Sequence, residues 1–262
     1  MTYLITALDA EARPLIEYYR LKRDYTLPFT LYRSEEIVLL VTQPGKTNAL
    51  MATSALLGHI LPKAEDILIN IGICGAPEEY PIGEALLIHK IIDNGRSFYP
   101  DILYPHPYRE ATLLSLEAAQ DSMLESPVDM ESSSVFRAAS KFFPLHRIAF
   151  LKIVSDHFKP DTVTKEKVIE SLRSHRKTLD TLIGSLKQLT DTKPLFTAEE
   201  LKKINDLKSY FTVSHGIRLE ESFCYFRLKY PALPLPFPDE EVPHSKRERS
   251  ELLERFTATL VS

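Results

Sequence analysis

Residues 67–76 read Ile67-Leu-Ile-Asn-Ile-Gly-Ile-Cys-Gly-Ala76: an apolar run, Ile67 to Ile71, followed directly by a segment with two glycines three positions apart. A run of this length suits either a buried strand or a buried helix, and its isoleucine content decides for a strand. Comparable runs at Tyr3 to Leu8, Ile37 to Thr42, Ala85 to Ile92, Thr112 to Leu116 and Ile148 to Val154 predict further strands. Segments of helical period at Ala10 to Tyr19, Thr47 to Leu61 and Ser132 to Phe143 lie between them. This alternation predicts an α/β fold, with a mixed, mostly parallel central sheet flanked by helices. Ligands of open parallel sheets sit beyond the C-terminal strand ends, which directs attention to Gly72, Cys74 and Gly75. The two glycines let a backbone approach a ligand closely. They do not make a GxGxxG fingerprint, and the chain has no phosphate-binding GKS or GKT loop.

From Asp161 to Leu189 apolar residues recur at three- and four-residue steps, predicting one long amphipathic helix that closes the α/β part. After it, Thr197-Ala-Glu-Glu200 is a capping box, so a helix should start at Ala198. Further helices are expected from His215 to Lys229 and from Ser245 to Leu260. The proline-rich segment Pro231 to Pro238 cannot be helical, because each proline lacks a donor and clashes with the preceding turn. The expected organisation is an α/β domain over 1–189 and a helical C-terminal extension over 190–262.

The 262 residues are 44% hydrophobic and 26% charged, the balance of a globular protein with a sizeable core. Basic side chains number 32 against 36 acidic, a formal net charge of −4 with no block of five or six like charges. That excludes a nucleic-acid groove, which needs clustered Lys and Arg. No apolar run approaches the roughly 18 residues that span a bilayer, and no basic leader opens the chain, so the expectation is a cytoplasmic protein without membrane contact. Two cysteines, Cys74 and Cys224, are too few for a disulfide framework or a zinc cluster. The histidines show no HExxH or Cys/His spacing, so no metal is expected.

Three further strand ends carry acids: Ala7-Leu-Asp-Ala-Glu11, Val128-Asp-Met-Glu131 and Lys152-Ile-Val-Ser-Asp156. Each alone reads as the start of a helix, where the dipole favours carboxylates. Their joint order places several carboxylates about one crevice, an arrangement suited to stabilising a cationic transition state.

Together with Pro44-Gly-Lys46, Asn70-Ile-Gly-Ile-Cys-Gly75 and Ile82-Gly83, these segments resemble the ordered motifs of the purine nucleoside phosphorylase and uridine phosphorylase superfamily. They are most similar to its nucleosidase branch, which includes the methylthioadenosine/S-adenosylhomocysteine nucleosidases. The resemblance covers about residues 1–189. It implies cleavage of an N-glycosidic bond through a sugar with oxocarbenium character, without an organic cofactor and in a homodimer. Carried over by position, Glu131 would hold ribose hydroxyls and Met130 would pack against the sugar. Asp156 would act on the purine near N7 with Ser155 in support, and Glu11 would position the attacking water. Gly72, Cys74 and Gly75 would border the substrate. Burial would favour a protonated Asp156, because desolvation disfavours the charged form.

Where the phosphorylases hold phosphate with an arginine before the glycine motif and a serine inside it, this chain has Asn70 and Ile73. Neither supplies the arginine's charge, and Glu11 would repel an anion, so water is the expected nucleophile. Arg13 is the one nearby guanidinium that a small shift could turn inward. The stretch Asn94 to Val128 is shorter than the matching excursion in the family, which carries a base-stacking aromatic. Phe98, Tyr99, Tyr104 and Tyr108 are the aromatics available to line a mouth, or to form a packed surface. The reading is a nucleosidase acting on a purine nucleoside or its 5′-modified derivative. A phosphate-dependent phosphorylase, acting on a nucleoside or a ribosylated lipid, and a non-catalytic nucleoside- or partner-binding protein are the alternatives.

Overall fold

The computed structural model describes residues 1–119, 121–189, 195–238 and 245–261. The chain divides into two compact units, Met1–Asp191 and Thr192–Ser262.

Among the described residues the first unit is built on ten strands: β1 (Thr2–Thr6), β2 (Lys22–Asp24), β3 (Thr30–Arg33), β4 (Ile37–Val41), β5 (Ile67–Gly75), β6 (Ala85–Asp93), β7 (Arg96–Phe98), β8 (Arg109–Ser115), β9 (Val128–Asp129) and β10 (Ile148–Asp156). Strands β4, β1, β5 and β10 run parallel at its centre. Antiparallel β3 and β2 extend the β4 edge. The nine-residue strands β5 and β10 outrun β1 and curl into a second arrangement. There β10 pairs antiparallel with β6, β6 pairs parallel with β8, β8 with β9, and β9 returns to β5 where Val128 meets Gly75. Five strands thus close into a ring. The architecture is the mixed α/β sheet expected, with its parallel pairs concentrated in the central four strands.

Strand alternation sends side chains to two cores. Tyr3, Ile5, Leu68, Phe150 and Val154 face one, beneath helices α2 (Lys46–His59) and α3 (Ser132–Ala139). Leu4, Ile67, Ile69, Ile71, Leu151 and Ile153 face the other, beneath α1 (Asp9–Tyr19), α4 (Lys165–Ser174) and α5 (Arg176–Gln188). Burial on both faces explains why the central strands read as near-continuous apolar runs.

The single helix expected over Asp161 to Leu189 is instead a 3-10 turn at Pro160–Thr162 followed by α4 and α5. The break falls at His175, whose φ of −96° and ψ of 11° leave the helical region. His175 Nδ1 and Ser174 Oγ each lie 2.8 Å from the Ser171 carbonyl, so side chains take up an acceptor freed where α4 ends. Short strands β2, β3, β7 and β9 are additions to the sequence reading.

The second unit carries helices α6 (Ala198–Lys208), α7 (Val213–Lys229) and α8 (Lys246–Val261). Phe196, Ile204, Leu207, Leu219, Phe223, Leu235, Leu253 and Leu260 form its core. Thr197 Oγ1 accepts from the Glu200 amide and Glu200 Oε2 accepts from the Thr197 amide, which is the reciprocal cap read from the sequence. Helix α7 starts two residues before His215 because Thr212 caps it. No helix among the described residues is long and apolar enough to cross a membrane.

Candidate active site

A cavity of about 340 Å³ opens at the C-terminal ends of β1, β5 and β10, and its wall brings together Glu11, Cys74, Gly75, Met130, Glu131, Ser155 and Asp156. Of the eight residues given a role at the site in the sequence, Gly72 alone does not line it. Gly72 lies directly behind Glu11: a β-carbon there would come within 2.6 Å of Glu11 Oε1.

Glu11 stands in the first turn of α1 and reaches back, its Oε2 accepting from the amides of Ala7 and Leu8 at 2.9 Å each. Its Oε1 accepts from the Ile73 amide on β5, also at 2.9 Å. The helix start therefore orients the carboxylate, and β5 clamps it from below. Burial pushes its pKa up, opposed by those amides and by the charge of Lys152.

Glu131 immediately precedes α3 and accepts from the Gly45 amide at 2.7 Å through Oε1. Gly45 turns with φ of 98°, a conformation that favours glycine, and this aims its N–H at the carboxylate. Burial, with the nearby Asp129 charge, raises the Glu131 pKa to about 7. Asp156 ends β10; its Oδ1 accepts from Ser155 Oγ at 2.6 Å and its Oδ2 from the Lys159 amide at 2.8 Å. The Ser155 hydroxyl also lies 3.1 Å from the Cys74 carbonyl, which ties the β10 end to β5. Burial raises the Cys74 thiol pKa, keeping it a small neutral wall group.

Beneath the carboxylates lies a pair that carried no assigned role in the sequence reading. Lys152 Nζ sits 2.9 Å from Asp129 Oδ2, with both side chains almost wholly buried. Burial alone would lower the Lys152 pKa, but Asp129 and Glu131 hold it above its ordinary value. The visible signal was a lone lysine inside the apolar run Ile148 to Val154. Asn70 points into the same region but is spent on structure: its Nδ2 donates to the Ile5 carbonyl at 3.0 Å, and Ser132 Oγ lies 3.2 Å from its Oδ1.

Arg13 turns outward and pairs with Glu17 at 3.2 Å. The aromatic loop does not form a mouth: Tyr104 is buried in the second core, Tyr108 donates to the Thr178 carbonyl at 2.6 Å, and Phe98 packs on Phe136. The remaining cavity wall is aliphatic, from Leu8, Pro44, Ile73, Ala118, Ala119, Val128, Pro160 and Val163. Its ionisable groups besides Cys74 are the four carboxylates Glu11, Asp129, Glu131 and Asp156, with no Arg, Lys or His among the described lining residues. Such a cavity accepts hydroxyl donors and positive charge, and repels anions.

No family model and no curated protein matches the chain. Solved structures do match its fold. A 5′-methylthioadenosine/S-adenosylhomocysteine nucleosidase of Streptococcus pneumoniae, bound to a transition-state inhibitor, superposes with a TM-score of 0.58 at 18% identity, over 72% of this chain and 99% of that one. A Helicobacter pylori mutant of the same nucleosidase, with 5′-methylthioadenosine in the active site, matches with a TM-score of 0.58 at 15% identity, over 70% and 97%. A futalosine hydrolase mutant of Helicobacter pylori gives 0.58 at 12% identity, over 70% and 98%. At these identities the likeness establishes the nucleosidase-like fold.

Proposed function

We propose that this protein is a nucleosidase that hydrolyses the N-glycosidic bond of a purine nucleoside or of a 5′-modified purine nucleoside. The observation that carries the reading is the convergence of Glu11, Glu131 and Asp156 on one cavity whose described wall holds no basic side chain. The fold shared with nucleosidase structures adds to it.

In this reading Glu131 accepts hydrogen bonds from the ribose hydroxyls and Met130 packs against the sugar. Asp156 delivers a proton to the departing purine, which otherwise leaves as an anion. Ser155, whose hydroxyl donates to Asp156 Oδ1 at 2.6 Å, holds that carboxyl in place. Glu11, anchored by three amides, orients the attacking water. The surrounding carboxylates offset the positive charge that develops on the sugar as the bond breaks. Water adds its oxygen to the anomeric carbon, and the products are free sugar and free base. Phosphate as nucleophile is disfavoured, because it would enter a wall of four carboxylates with Arg13 facing solvent.

The test is incubation of the purified protein with purine nucleosides, 5′-modified ones included, with and without phosphate. Free sugar without phosphate, lost in Glu131→Gln and Asp156→Asn, supports hydrolysis. Ribose 1-phosphate would replace hydrolysis by phosphorolysis, and intact nucleoside recovered from the protein would make it a binder.

A further inference from the structure

The second unit holds a cavity of its own, of about 300 Å³, walled by residues that follow α6, begin α7 and lie in α8. Its ionisable groups are Tyr210, His215 and Arg249, with no carboxylate among the described lining residues. That is the reverse of the first cavity, where four carboxylates stand without a basic side chain. The acids of α8 nearest in sequence are turned to other partners: Glu248 accepts from the Ser245 hydroxyl, and Glu251 pairs with Arg247.

Some polar groups of this wall are spent on the fold. Ser209 Oγ donates to the Asp206 carbonyl at 2.6 Å, and Thr212 Oγ1 accepts from the His215 amide at 3.4 Å. Arg249 is only half committed. Its Nη1 donates to the Tyr210 carbonyl at 2.7 Å, whereas its Nε is buried with no acceptor. A buried donor of a charged group left unpaired costs free energy, which a bound acceptor returns. The planar guanidinium matches two oxygens of one phosphate through neighbouring N–H groups. Ser250 adds a hydroxyl beside it, and Tyr210, 52% exposed, offers a ring to whatever the phosphate carries.

We propose that this cavity binds a small phosphate monoester, with the phosphate on Arg249 and Ser250 and an aromatic ester group against Tyr210. Its volume is at the small end of ordinary ligand sites, roughly 300–1,000 Å³, which suits a ligand of this size. The site is independent of the nucleosidase reading, because the first cavity repels anions.

Calorimetry on the full chain with inorganic phosphate, methyl phosphate and phenyl phosphate tests it. All should bind, phenyl phosphate about three- to tenfold tighter than methyl phosphate, the gain expected of one aromatic contact. Arg249→Gln should weaken each by about 10- to 100-fold, the worth of a hydrogen bond to a charged group. Arg249 also holds the Tyr210 carbonyl, so Ser250→Asp serves as a second variant. It leaves that bond in place, sets a carboxylate against the phosphate and should abolish binding. Tyr210→Ala should erase the preference for the phenyl ester and keep the affinity for the methyl ester. Arg247→Gln, which removes an exposed charge from the same helix, should change neither. The site is overturned by absence of binding to the wild type at millimolar ester, or by affinity untouched in both Arg249→Gln and Ser250→Asp. Equal affinity for the methyl and phenyl esters also overturns it.

Discussion

Glu11 Oε1 occupies the space that a β-carbon on Gly72 would need, at a separation of 2.6 Å. The carboxylate cannot yield simply by swinging away, because three amides hold it. Gly72→Ala should therefore detach Glu11 from the Ile73 amide while leaving β5 in its sheet. The expected result is a fall in kcat of roughly 10- to 100-fold, given what misplacing a catalytic group costs. Steady-state kinetics beside circular dichroism would check it, and a kcat within twofold of wild type would refute the coupling.

The Glu131 pKa, raised from its ordinary value to about 7, gives the reaction a pH signature. Only the ionised group accepts from two hydroxyls, so kcat/KM should climb as pH rises through 7 and level off above it. Stability should move oppositely. The folded state binds this proton more tightly than the unfolded chain, so the native protein loses stability between about 4.5 and 7 as pH rises. Glu131→Gln should accordingly abolish turnover yet melt higher than wild type at pH 8. A pH-independent kcat/KM between 5.5 and 8.5 would contradict the assignment.

Proton delivery by Asp156 can be isolated by changing the leaving group. With a purine nucleoside, Asp156→Asn should lower kcat by roughly 100- to 10,000-fold, the usual worth of general acid catalysis. With a nitrophenyl riboside, whose phenolate departs unaided, the same variant should lose far less. Equal losses on both substrates would mean that Asp156 positions the ligand and donates no proton.

The Lys152–Asp129 pair is a structural commitment. Removing one partner strands a buried charge, and Lys152→Met should cost roughly 3–5 kcal/mol in urea unfolding. Lys152→Met with Asp129→Asn should recover much of it, since the stranded carboxylate goes too. If the single and double variants unfold at the same urea concentration, the pair is not coupled in the way its geometry demands.

The parts of this molecule that sequence reads well are those with enough residues to show a period. Strands β5 and β10, nine residues each and buried on both faces, stand out as apolar runs rich in Ile, Leu and Val. Strands β7 and β9, three and two residues long, carry no period at all and exist because neighbours present hydrogen bonds to them. The break at His175 is invisible for another reason: Leu172 and Leu179, both buried, are two helical turns apart and continue one apolar stripe across it. Around the cavity, acids at strand ends are legible because a polar group there interrupts an apolar run. Ala118 and Ala119 are not, since small apolar residues in a loop announce nothing until the fold brings them to a wall. Nor did the aromatic loop declare its direction; Tyr108 turns to α5 for an acceptor that only the assembled fold provides.

The ring formed by β5, β10, β6, β8 and β9 also sets when the cavity comes into being. Ile73 meets Glu11 across 62 residues of chain, and Gly45 meets Glu131 across 86. Closing such distant segments costs loop entropy before the ring returns any of it, so these pairings belong to the slow end of folding. The backbone hydrogen bonds of helices α1, α2 and α4 close over four residues and form on a faster clock. After a refolding jump, the helical signal should return first and affinity for a nucleoside only as the ring shuts, making ligand capture a timer for the last step of assembly.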